Sequence, residues 1–269
     1  MRKPVYWLWI GLLGLILLAA CAPAPAPPPT PTPAPEVTDP AALLEWDTSP
    51  DAVVFRIDLA GTSGDRASDL NAVPYCTIFG DGHIIWLNPG TNPEEVLEAL
   101  LDESTLRTFL YSLITEGFYE WEPHQTGAPQ GRGEGTPRER ILLTLFDEAH
   151  VVEDNASLPP GAFARIRERC RQLSDSPVLY VPMGVWVSAL PTTERVNRTY
   201  NWANYRAMFD DVRLADMSPE QPRWFTGEAA AQAWELARRG RVVLVEDGAT
   251  YRLVVQVPGL HAGVPDAPR

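Results

Sequence analysis

The residues able to do chemistry in this chain fall into four sets, and the sequence limits each of them. Cys76 and Cys170 both sit in apolar patterns, where they can close a disulfide in an oxidising compartment or stay as two buried, hydrophobe-like thiols. Sequence spacing fixes no Cα separation, so both readings stand. His83, His124, His150 and His261 show no paired ligand spacing with one another or with a cysteine, which argues against a zinc site. Asp210, Asp211 and Asp216 lack the alternating acids, central glycine and closing glutamate of a calcium loop. Gly61-Thr62-Ser63-Gly64-Asp65 approaches a nucleophile elbow, but Asp65 stands where that pattern needs glycine. Lys3 is the only lysine, so phosphate-loop, Schiff-base and Ser-Lys chemistry are excluded from the rest of the chain. Paired carboxylates can cleave glycosidic bonds, yet among 35 acidic residues no pair is singled out by spacing. No catalytic residue, metal or cofactor is assigned.

Two groups are better suited to recognition. Arg165, Arg167, Arg169 and Arg171 give one helix a basic side, either a solvated face paired with neighbours such as Glu168 or a dock for an anionic glycan or acidic protein surface. Tyr200, Trp202, Tyr205 and Phe209 crowd into ten residues, with Trp121 and Trp224 in or beside loops. Exposed, such rings stack on sugars or form an interface; buried, they fill a core. Tyr200, Trp202, Tyr205, Arg165 and Arg169 are therefore the candidate ligand contacts.

The elements that must position these residues begin with an unusual N-terminus. Met1-Arg2-Lys3 is positive, and Val5 to Ala20 carries no charge, the n-region and h-region of a signal peptide. The apolar span is somewhat short for a membrane-crossing helix, which needs about 20 residues. Leu18-Ala19-Ala20-Cys21 resembles the lipobox of bacterial lipoproteins. The resemblance implies cleavage before Cys21, acylation of its thiol and often of the new amino terminus, and so a bilayer anchor on the extracytoplasmic face of the cell membrane, stable because more than one chain is attached. Residues 22–40 hold nine prolines and no aromatic side chain, the composition of a disordered, solvated polyproline spacer reaching roughly 60 Å at about 3.1 Å per residue. With all 35 acidic residues and 20 of the 22 basic ones after Cys21, the mature chain carries a formal charge of −15, which repels nucleic acid and anionic surfaces.

Beyond the spacer, residues 41–269 suffice for one large domain or two small ones; the boundaries expected are 41–190 and 191–269, the second either separate or continuous with the first. Val53, Phe55, Ile57 and Leu59 alternate as in a strand. Gly80-Asp81-Gly82 and Asp247-Gly248 signal tight hairpins, the first read with Phe79 opposite Ile84, so that Cys76, Ile78, Ile85 and Leu87 share a face. Asn92-Pro93-Glu94-Glu95 reads as a helix start running to Leu101. Leu106, Phe109, Leu110 and Leu113 form a helical stripe ending at Gly117, and Phe163, Ile166, Cys170 and Leu173 form another. Residues 123–137 form a long Gly- and Pro-rich connection, and Ile141 to Phe146 reads as a central strand pairing with His150 to Glu153. Val178 to Leu190 is extended, with Pro182 and Gly184 marking a bulge or an edge. A helix from Gly227 to Arg239, capped by Thr226, precedes the last hairpin. The sum is an α+β fold, mostly antiparallel, with hairpins and amphipathic helices packed on the sheet.

The hairpin at Gly80-Asp81-Gly82, the amphipathic helix after it and the Glu116-Gly117-Phe118 end are similar to an uncharacterised domain of bacterial envelope lipoproteins over about residues 50–175. The resemblance implies an address and no activity. Two functions follow as expectations: a non-catalytic envelope module binding a glycan, peptide or protein partner or serving a structural role, and, as the alternative, a secreted cell-wall or polysaccharide hydrolase.

Overall fold

The computed structural model describes residues 39–91, 94–121, 137–154, 161–194, 196, 198–261 and 263–268. Cys21, the apolar run before it and the proline-rich stretch through Thr38 lie outside the described residues, as do Asn92, Pro93 and the connection 122–136 with His124.

Two sheets carry the fold. The first contains β1 (Val53–Ala60), β2 (Cys76–Phe79), β3 (His83–Asn88), β4 (Glu95–Leu100), β5 (Arg138–Leu145), β6 (Glu148–Glu153) and β7 (Val178–Leu179) in the order β6-β5-β1-β2-β3-β4-β7, antiparallel throughout. The second contains β8 (Gly184–Pro191), β9 (Thr199–Asn201), β10 (Arg223–Thr226), β11 (Val243–Glu246) and β12 (Ala249–Gln256) in the order β10-β8-β12-β11-β9, with β9 and β11 the one parallel pair. Among the described residues four α-helices pack on them: α1 (Arg66–Leu70), α2 (Glu103–Thr115), α3 (Ala162–Arg171) and α4 (Gly227–Arg238). The architecture is α+β.

The two Asp-Gly hairpins resolve differently. Asp247 and Gly248 both adopt positive φ, 51° and 81°, and join Glu246 to Ala249 in the primed two-residue turn that suits strand twist. At Gly80-Asp81-Gly82 only Gly82 has positive φ, and the pairing is Ile78 with Ile84 and Cys76 with Trp86. The loop is one residue longer than expected, so the faces swap: Cys76, Ile78, Ile84 and Trp86 point one way, Phe79, Ile85 and Leu87 the other. The cause lies upstream. Gly80 donates its N–H to Ala52 and accepts the Trp46 indole N–H, and a Cβ there would lie 1.9 Å from the Asp47 carbonyl oxygen. The incoming segment 46–52 clamps that position and sets the register.

Glu95–Leu100 is a strand where a helix was expected. Its Glu, Leu and Ala residues favour helix locally, but β3 pairs along all six positions and β7 pairs on the other side, and Val96 and Leu97 feed opposite cores. The other helices follow their patterns. Asp102 caps α2 through the Thr105 N–H, Leu106, Phe109, Leu110 and Leu113 are buried, and Gly117 at φ 83° ends it. Thr226 precedes α4 without capping it by its side chain.

Two cores share the first sheet. On one face, Phe55, Ile57, Ile78 and Ile84 pack against Phe109, Leu110 and Ile166 of α2 and α3. On the other, Phe79, Ile85 and Val96 pack with Trp234 of α4 and with Leu244, Leu253 and Val255 of the second sheet. Residues 191–269 thus do not form a separate body; Asp39 onward is one unit. Alanines 229, 230 and 233 keep α4 thin on its buried side, which lets it sit close to the second sheet.

Candidate functional site

The predicted site residues separate at once. Cys76 on β2 and Cys170 at the end of α3 are joined as a disulfide, with Cα atoms 6.6 Å apart and both residues fully buried. It ties α3 to the sheet across 94 residues of chain.

The arginines of α3 are engaged locally. Arg167 pairs with Glu139 and lies over the Tyr75 ring, Arg169 pairs with Glu116 at 2.8 Å and donates to Ser112 Oγ, and Arg171 pairs with Glu168. Arg165, exposed on the first turn, is partnered as well. Neutralised in this way, the basic side is a paired surface rather than an open anion dock.

The aromatic cluster turns inward. Trp202 has no exposed surface, donates its indole N–H to the Val212 carbonyl and packs on Phe209 at 4.9 Å. It is a core residue and cannot stack on a sugar. Tyr200 and Tyr205 are half-buried around it, with Arg239 over the Tyr200 ring. Burial of a whole apolar cluster won over surface recognition, as aromatic payload usually does.

A cleft of about 590 Å3 opens between the first sheet, α4 and β12. Its walls are unusually charged. Arg140 grips Asp58 with two parallel bonds of 2.9 and 2.7 Å, and these raise its pKa above the ordinary arginine value. Arg252 holds both Asp65 oxygens and donates to Ser68 Oγ; its bonds are the main reason that the Asp65 carboxyl lies well below the usual carboxylate range. Arg238 donates to the Asn71 carbonyl, lies over the Trp234 ring and reaches Glu94 at 3.4 Å, while burial lowers its pKa.

Asn71 is the joint of this wall. Its side chain donates to Leu253 O and accepts from Val255 N–H, completing the stretch of β12 that runs past the end of β11. His261 locks the chain end nearby: its Nδ1 accepts the Val257 N–H, so the neutral ring carries its proton on Nε2. Burial, and then Arg238, push its pKa down to about 3. Sequence reasoning gave Asn71 and His261 no role, because an isolated amide and an isolated imidazole have no pattern to reveal them.

The cleft's charges are met within the protein, although Arg238 Nε and His261 Nε2 are buried there without a hydrogen-bond partner. Each of these guanidiniums meets a carboxylate or a carbonyl of the protein itself. Among the described residues no group of three or more His, Cys, Asp or Glu could hold a metal ion, and no helix is long and apolar enough to cross a membrane.

A second opening, of about 390 Å3, has the opposite character. It runs between β4, β7 and α4, floored by Val96, Tyr180, Ala231 and Trp234, with Tyr180 and Trp234 edge to face at 5.7 Å. Beside it the segment after α3 leaves apolar side chains in solvent. The edge expected near Pro182 holds on one side only: β7 closes the first sheet, whereas β8, which starts at Gly184, is an inner strand between β10 and β12. No family model matches this chain, and no curated protein and no solved structure matches it either.

Proposed function

We propose that the protein is a lipid-anchored, extracytoplasmic module that works by binding rather than by catalysis, held to the bilayer through acylated Cys21 and set off from it by residues 22–40. The observation that carries the reading is the buried Cys76–Cys170 bond in a chain whose N-terminus resembles a lipoprotein signal, because such bonds persist in oxidising compartments outside the cytoplasm. The cleft adds support. Its charges are spent on one another, and Asp65, gripped by Arg252 of its wall, has a carboxyl held well below the usual range. A glycosidase acid needs a carboxyl shifted upward, so Asp65 does not suit that role.

Replacing Cys21 tests the anchor. Cys21→Ser is expected to abolish acyl labelling and to release the chain from the membrane fraction, whereas persistence of both in the variant would contradict the reading.

A further inference from the structure

The first sheet ends in a strand that does not protect itself. Edge strands usually carry charges, bulges or covering elements that prevent pairing with other chains. Here Pro177 to Met183 contains no charged residue, and Val178, Leu179, Val181 and Met183 are 59%, 61%, 55% and 91% exposed. The Tyr180 N–H bonds to the Val96 carbonyl, and Leu179 lies opposite Leu97. By the alternation of an antiparallel pair, Val178 and Tyr180 turn their backbone polar groups toward β4, and Leu179 and Val181 turn theirs away from it. Pro177 and Pro182 bracket this run, so it can accept one short strand and no extended stack.

Alongside lies the apolar groove, and its rim is acidic. Glu94, Glu95, Glu228 and Glu235 line it against one cation, the buried Arg238. Glu94 and Glu235 are paired with Arg238 and Arg239; Glu95 and Glu228 make no ion pair among the described residues. A second copy of this chain would bring the same acidic rim to the contact, which electrostatics disfavours. A cationic strand would meet it with opposite charge.

Resting on the binding-module reading above, we propose that the Pro177–Met183 edge is the docking site, and that its partner presents an extended segment alternating apolar and basic residues. The segment adds as a further strand beside β7. Its backbone takes up the outward groups of Leu179 and Val181, its apolar side chains enter the groove over Tyr180 and Trp234, and its basic side chains fall on the opposite face beside Leu179 and Val181, in the negative field of Glu95 and Glu228.

The test titrates the lipidated full chain in detergent micelles with a synthetic peptide of alternating arginine and valine. A glutamate–valine twin and a version with central prolines serve as competitors for the same surface. The arginine peptide is expected to bind, to lose affinity with added salt and to slow amide exchange at Leu179 and Val181. Leu179→Arg, which sets a like charge beside the peptide's arginines, and Val181→Pro are expected to weaken it by at least roughly tenfold. Val181→Pro removes an outward N–H while leaving the Tyr180 bond to β4, so its melting temperature should stay near that of the parent. Equal binding of the glutamate twin or of the proline version, binding indifferent to both substitutions, no binding at all, or self-association that Leu179→Arg abolishes would each overturn the proposal. Failure here with Cys21-dependent membrane retention intact removes the docking surface and leaves the anchored module standing; retention independent of Cys21 removes the anchor instead.

Discussion

The cleft between the two sheets and the edge at Pro177–Met183 are both openings in the same body, and they are built on opposite rules. In the cleft the charges are spent on the protein itself, Arg140 on Asp58, Arg252 on Asp65 and Arg238 on Glu94 and the Asn71 carbonyl, with Arg238 Nε and His261 Nε2 left unbonded. At the edge, apolar side chains and outward backbone groups have no partner among the described residues on the strand's free side. Burying charge is expensive unless it is paired, and so a cleft whose guanidiniums are spent on the protein's own carboxylates reads as architecture. Exposed apolar surface on an unprotected edge is the feature a stable monomer normally removes, and so the edge reads as function.

That contrast makes separable predictions. The largest effect belongs to the interior: Cys76→Ala with Cys170→Ala is expected to lower unfolding stability by about 2–5 kcal/mol, read from denaturant melts under oxidising conditions. A difference within error would mean that the bond between α3 and the sheet contributes nothing to folding. Next comes Asn71→Ala, which leaves Leu253 O and Val255 N–H unpaired and should cost about 1–3 kcal/mol.

A smaller and pH-dependent effect comes from His261. Its folded pKa, about 3, lies below the ordinary 6.5, so the unfolded chain binds the extra proton. Stability from this group is therefore complete above about pH 6.5 and falls as the solution is acidified toward pH 3, with a slope of at most about 1.4 kcal/mol per pH unit. His261→Gln should flatten the slope between pH 6 and 4 in equilibrium melts, leaving the carboxylate contribution, including that of Asp65, below that window. An unchanged slope would show that the ring is not buried neutral.

Much of this fold was legible. The stripes at Leu106–Leu113 and Phe163–Cys170 reported real buried faces because helical period and tertiary burial agree there. The register of β2 with β3 was not legible, since it is set by Asp47 and Trp46 clamping Gly80, a contact 34 residues away in the case of Trp46. Strand β4 was hidden by helix-favouring residues whose backbone partners lie on β3 and β7. For the candidate site, the sequence showed Pro182 as an edge marker, but nothing local distinguished an exposed Leu179 from a buried Leu106. Trp202 failed in the reverse direction: ring content is visible in a sequence, and its side of the surface is not.

The most direct measurement sets the two regions against each other in one experiment: denaturant midpoint and affinity for the arginine–valine peptide, measured together for Leu179→Arg and Asn71→Ala in the full chain. Leu179→Arg is expected to leave stability within about 0.5 kcal/mol while binding weakens at least roughly tenfold, and Asn71→Ala to do the opposite. Weakened binding in Asn71→Ala at conditions where it is fully folded, with Leu179→Arg binding as the parent does, would contradict this and make the cleft the working surface.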